Sequence, residues 1–232
     1  MRPVERGLIP RDGGGAPLAF AHYRDVRDHL IGRIGDYCSY CEVALNSSID
    51  VEHVRPKKHN PALERSWDNF LLGCDYCNPI KGDADVVLTD YYWPDSDKTF
   101  RPFDYPPYLP PQIAGWLSPT QRATATRTLQ LTGLDRVPGH PDFSNRDRRW
   151  SKRKEVWGVA LLSLANLEKQ DTEATRQQII LTAVSRGFFS VWMTVFQGHP
   201  EMRCRFIQAF VGTAADCFDG KGNPIPRPGG AI

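Results

Sequence analysis

The chain has no long hydrophobic run. Its longest charge-free apolar stretches, residues 156–167 and 187–200, fall short of the ~20 residues a membrane-spanning helix needs, so no membrane partner is expected. No apolar segment stands behind the charges of residues 1–10. No signal peptide is therefore read, and a soluble, cytoplasmic protein is expected. A surplus of one charge is also missing, since 29 Lys and Arg against 27 Asp and Glu leave +2. With 41% hydrophobic and 24% charged residues the composition is globular, which excludes a disordered or fibrous chain. A chain of 232 residues can bury about 70% of its unfolded surface without disulfide staples.

The small net charge hides an asymmetry. Residues 1–117 carry 13 Lys and Arg against 17 Asp and Glu (−4), and residues 118–232 carry 16 against 10 (+6). A basic half beside an acidic one fits either a held polyanion or two ordinary solvated surfaces.

Cysteine is scarce, and four of the six form two Cys-x-x-Cys pairs, Cys38/Cys41 and Cys74/Cys77. In a reducing compartment such paired motifs read as a structural zinc site rather than as disulfides. Zinc takes four thiolates tetrahedrally at about 2.3 Å, and a two-residue gap lets one tight turn present both sulfurs. Cys204 and Cys217 lie in helical pattern among apolar residues and read as small buried hydrophobes.

The 32 residues from Glu42 to Gly73 are too many for a plain zinc ribbon, whose pairs stand ~15–20 apart. Within Ser48-Ile49-Asp50-Val51-Glu52-His53-Val54-Arg55-Pro56 the alternation predicts a strand that Pro56 ends. Trp67-Asp68-Asn69-Phe70-Leu71-Leu72 reads as a second short strand. After the second pair, Asp75 is a candidate cap for a short helix through Asn78 and Lys81 to Gly82. Strand, loop, strand and helix, clamped by one zinc, would gather His53, Asn69 and Asn78.

Cys38-x-x-Cys41, Glu52-His53, Asn69 and Cys74-x-x-Cys77-Asn78-x-x-Lys81 resemble the HNH (ββα-metal, His-Me finger) endonucleases that carry a four-cysteine zinc. The stretches Glu52-His53-Val54-Arg55-Pro56-Lys57, Trp67-Asp68-Asn69-Phe70-Leu71 and Cys77-Asn78-x-x-Lys81-Gly82 look more narrowly like the HNH component of Septu-type and retron-associated anti-phage systems. Tyr40-Cys41-Glu42 and Arg101-Pro102-Phe103 fit as well. The resemblance covers about residues 20–155 and is specific in its first half.

It implies an α+β fold in which a ββα-metal core with structural zinc is followed by a mainly helical part. It also implies hydrolysis of phosphodiesters in nucleic acid, DNA favoured, by the effector of a defence system working with an ABC-type ATPase. His53 would be the general base, since an imidazole, with an ordinary pKa of about 6.5, suits the task. Glu52 and Asn78 would hold a catalytic Mg²⁺ or Mn²⁺, and Asn69 would brace the loop and orient His53. Members often carry His in place of Asn78, and an amide oxygen favours a hard cation. Lys81 would meet a phosphate as a point charge. Arg55, Lys57 and Lys58 either grip the nucleic-acid backbone or form a solvated loop. Adjacent strand residues point to opposite faces, so Glu52 and His53 serve one site only where the strand kinks or ends. A stand-alone HNH restriction-type endonuclease, and a zinc-stabilised nucleic-acid-binding module without chemistry, are the alternatives.

Three regions follow: a nuclease domain over 1–117, a helical substrate- or partner-docking region over 118–218, and a flexible tail over 219–232. Residues 83–117, rich in Pro and aromatics, read as irregular, their rings packed on the core or stacking bases. Ser118-Pro119 starts a helix that runs to about Leu131. Residues 146–154 hold six basic residues against one acid and open a long helix, which grips phosphate or faces solvent or a partner. Thr172 caps the next helix.

Overall fold

The computed structural model describes residues 1–45 and 49–232. A 3-10 turn at Tyr23–Val26 leads into α1, Arg27–Ile34. Val26, Leu30 and Ile34 lie on one buried face, and Gly35 stops the helix at φ 73°, a conformation that suits glycine.

Strand β1, Asp50–His53, pairs antiparallel with β2, Phe70–Gly73, in the register Asp50↔Gly73, Val51↔Leu72, Glu52↔Leu71, His53↔Phe70. The strand ends at His53, before Pro56. Ser48, which the sequence pattern includes in it, lies outside the described residues. The 3-10 turn Trp67–Asn69 leads into β2, and α2, Cys77–Lys81, follows it. Asp75 does not cap α2. The Cys77 amide donates to Cys74 Sγ at 3.4 Å instead, because the knuckle brings that sulfur to the helix start.

Residues 83–117 are mostly irregular, as their prolines dictate. They hold one small antiparallel pair, β3 (Phe103–Asp104) with β4 (Gln112–Ile113). Tyr92, Trp93, Phe103 and Tyr105 are buried, while Tyr108 and Trp116 are exposed.

Helix α3, Pro119–Leu131, starts with a capping box between Ser118 and Gln121, which satisfies two otherwise free amides. Then come α4 (Arg149–Lys169), α5 (Glu173–Arg186, capped by Thr172), α6 (Phe189–Val195) and α7 (Pro200–Ala209). The architecture is thus mixed, with seven α-helices and two small sheets among the described residues. Among them no helix is long and apolar enough to cross a membrane.

Among the described residues two apolar cores stand out. The first gathers α1, β1, β2 and the aromatics of 83–117 with Ala125 and Leu129 of α3. The second joins α4–α7 with Tyr37 of the first cysteine turn. Residues 219–232, expected as a tail, return to the first core. Ile232 is buried there, and Arg227 donates to the carbonyls of Val4 and Pro94 while pairing with Glu5. An absence of helix and strand does not free a segment whose backbone and charges are met by the body of the fold.

Candidate functional site

The four paired cysteines are buried, and their sulfurs all lie within 4.8 Å of one another. Cys41 Sγ and Cys74 Sγ are 3.7 Å apart, close to the S···S edge of about 3.8 Å in a tetrahedron of Zn–S bonds. This cluster could hold a structural zinc.

The first turn is shaped by Glu42 at φ 69° and by Glu42 N–H donating to Cys38 O at 2.9 Å. It is tied to β2, since Ser39 N–H donates to Leu72 O at 2.8 Å. The second turn grows out of the end of β2. The hairpin and α2 therefore meet because both cysteine pairs converge. Cys217 is buried and Cys204 partly exposed, and neither belongs to the cluster.

Glu52 and Asn78 come together across Gly73. A Cβ built on Gly73 would lie 3.1 Å from Asn78 Cβ and 3.4 Å from Glu52 Cβ, so the bare glycine is what lets them approach. Asp50, two residues before Glu52 and on the same strand face, accepts from Asn78 Nδ2 at 3.1 Å. The sequence reading did not select Asp50, although strand parity pairs it with Glu52. Asp50 and Asn78 are half-buried.

Glu52 itself is enclosed. Its carboxylate meets Lys81 Nζ at 2.7 Å and the Tyr40 hydroxyl at 3.4 Å. Burial raises its pKa while Lys81 pulls it back down.

Lys81 is not where a phosphate contact requires it. Its ammonium also donates to His53 O at 2.7 Å and is 3% exposed. As a residue in the last turn of α2, it faces inward onto the strand that the helix covers.

His53 lies on the opposite strand face from Glu52, beside the rings of Tyr23 (5.0 Å) and Phe70 (5.2 Å). Its Nε2 is 3.0 Å from Glu64 O. A carbonyl only accepts, so Nε2 carries the proton and Nδ1 of the neutral ring holds the lone pair. Burial lowers the His53 pKa; the Glu64 carbonyl bond opposes that shift, and Lys57 and Lys81 add to it. Tyr23 carries no chemical signal in the sequence and was not anticipated.

Asn69 does brace the loop. It accepts from Arg55 N–H at 2.8 Å and donates to Arg55 O at 2.9 Å and Leu63 O at 3.2 Å. It makes no direct bond to His53. Its hold on Leu63 instead fixes the neighbouring Glu64 carbonyl on which the imidazole rests. Beside it the basic loop is open. Lys57 and Lys58 are exposed, with loose contacts to Glu64 (3.5 Å) and Asp83 (3.3 Å), and Lys57 Nζ sits 4.2 Å above the Tyr23 ring. Arg55 is half-buried, and His59 is exposed.

The basic run 146–154 divides by face. Arg149 and Arg153 are buried against the cysteine turns, whereas Arg146, Arg148, Lys152 and Lys154 are exposed. Arg149 Nη1 donates to Cys77 Sγ at 3.0 Å and to Thr132 O at 2.7 Å, and Asp147 closes the pair at 2.6 Å. Arg153 Nη2 donates to Cys41 O at 3.1 Å. Four thiolates on Zn²⁺ leave about −2, and these guanidiniums lie where that charge would be. No protein-family model matches the chain, and no curated protein matches it.

Proposed function

We propose that this protein is a metal-dependent HNH endonuclease that hydrolyses phosphodiester bonds of nucleic acid, with DNA favoured. The observation that carries this reading is the imidazole at the end of β1. Its Nε2 rests on the Glu64 carbonyl, burial lowers its pKa and so favours the neutral ring, and its Nδ1 is left for a proton. A structural zinc needs none of this, nor the Asn69 brace that holds the arrangement in place.

In the reaction, His53 Nδ1 takes a proton from the attacking water, and Glu64 O keeps the ring in the productive tautomer. Asn69 holds the loop that carries Glu64. Lys57 and Lys58 approach the phosphate backbone from the exposed loop. Glu52 and Asn78, with Asp50 beside them, would offer oxygen ligands to a hard cation once Lys81 gives up the Glu52 carboxylate. Bound Mg²⁺ or Mn²⁺ would supply charge neutralisation at the scissile phosphate and the leaving oxygen.

The resemblance to Septu-type nucleases extends the proposal to an anti-phage effector that works with an ABC-type ATPase partner. A stand-alone restriction-type endonuclease would use the same chemistry without that partner. One observation favours the non-catalytic zinc module instead, namely that Lys81 already neutralises the Glu52 carboxylate.

The test is plasmid cleavage with Mg²⁺ or Mn²⁺, with and without the co-expressed ATPase. Cleavage should fall at least a hundredfold in His53→Ala, with zinc content and melting temperature unchanged. Equal cutting by His53→Ala would end the proposed mechanism.

A further inference from the structure

A second candidate site lies away from the cysteine cluster, where the β3–β4 hairpin faces α4, α6 and α7. It is a cavity of about 700 Å³, inside the ~300–1,000 Å³ range of ligand sites. Trp116, Arg101, Trp157 and Arg203 line it.

Two features mark it as more than a gap between cores. Trp116 is 53% exposed, with the Arg101 guanidinium 4.6 Å above its ring. Trp157 and Arg203 are buried, yet Trp157 Nε1 and Arg203 Nε have no acceptor among the described residues. A buried N–H without an acceptor is costly, and both residues that carry one stand in the wall of this cavity.

The same surface continues along α4. Lys154, three residues before Trp157 and so on a neighbouring helix position, holds its ammonium 5.2 Å above the ring of Tyr108. Tyr108 is 58% exposed and sits at φ 65°, a left-handed conformation rare for an aromatic residue. Pro106-Pro107 and Pro110-Pro111 flank it and stiffen the loop that displays it. Neither Arg101 nor Lys154 has a carboxylate partner among the described residues.

Exposed rings, each beside an uncommitted cation, are the ingredients of single-strand recognition. Every base offers a π-face to stack, and the backbone offers an anion to each cation. Duplex DNA keeps its bases stacked on one another and offers these rings nothing. We infer that this face binds a single-stranded nucleic acid, with Trp116 and Tyr108 as base-stacking platforms and Arg101 and Lys154 facing its phosphates. From the nuclease reading the inference takes only that the ligand is a nucleic acid. It assigns the strand state, which that reading left open.

The test measures fluorescence anisotropy of labelled dT15 with the full chain in a His53→Ala background, where nothing is cut. A hairpin duplex of matched charge is the competitor. Trp116→Ala and Tyr108→Ala should each weaken dT15 binding about tenfold, and Trp116→Phe should restore it to within threefold. Lys154→Ala should lower the salt slope by roughly 0.7. Melting temperatures should stay unchanged in all variants.

Unaltered dT15 affinity in the Trp116→Ala, Tyr108→Ala double variant overturns the inference. So does a duplex that competes as well as unlabelled dT15. The two readings fail separately: wild type that cuts while its platforms are indifferent sinks this one alone. A His53→Ala protein that binds through the platforms while wild type never cuts sinks only the nuclease.

Discussion

The ammonium of Lys81 lies 2.7 Å from a carboxylate oxygen of Glu52 and also donates to the backbone carbonyl of His53 at 2.7 Å. One buried cation from α2 thus touches both consecutive residues of the Glu-His pair, although their side chains occupy opposite faces of β1.

Removing one partner of such a pair strands the other in a low-dielectric site. Lys81→Met should cost about 3–5 kcal/mol, read as a lower urea midpoint at pH 7. The loss should shrink on acidification, because burial already raises the Glu52 pKa and the variant loses the charge that holds it down. The sign follows from linkage. A carboxyl with a raised folded-state pKa favours folding when protonated, so stability is regained as pH falls through that pKa toward the ordinary 4.5. A double variant with Glu52→Gln should recover most of the deficit at pH 7.

For His53 the sign is opposite. Its folded-state pKa lies below 6.5, so its contribution to stability is complete above 6.5 and is lost as pH falls through the lowered value. Cleavage should keep its full rate down to below pH 6.5 and drop on the acid side. NMR titration of the His53 ring should give the same midpoint, and Lys57→Gln should raise it, since Lys57 is one of the groups holding it down. A midpoint above 6.5 would contradict the neutral-base assignment.

The cysteine cluster and the helical half should fail together. Cys77→Ser should abolish zinc binding by elemental analysis and also loosen α4, whose Arg149 donates to that sulfur at 3.0 Å. Arg149→Ala leaves Asp147 buried and unpaired and should cost about 3 kcal/mol. Arg149→Lys should rescue little of this, because one ammonium cannot serve Cys77, Thr132, Gly133 and Asp147 at once. Thermal melts with and without a zinc chelator would show whether both halves shift.

Asn69→Ala should lower stability by about 2 kcal/mol, since three backbone groups of the enclosed loop lose their partner. Asn69→Asp should be no better, as a carboxylate cannot donate to the carbonyls of Arg55 and Leu63. Cleavage by either variant should fall more than its folded fraction does, because the Glu64 carbonyl beneath His53 moves with the loop.

Local chemistry was legible without a structure. The two Cys-x-x-Cys turns, the β1 alternation and the Ser118 cap each depend on residues within a few positions of one another, and all appear as read. The four cysteines meet because a thiolate set has one geometry, whatever lies between the pairs. What only the tertiary structure decided is how residues distant in sequence divide the space around those turns. Lys81 is drawn inward to Glu52 from 29 positions away. Arg149 and Arg153 turn from a basic stripe into buried partners of the cysteine turns, and residues 219–232 fold back onto the first core. A charged side chain's role depends on which counter-charge or carbonyl packing brings within about 3 Å, because the cost of desolvation leaves no neutral alternative. No pattern along the chain encodes that distance.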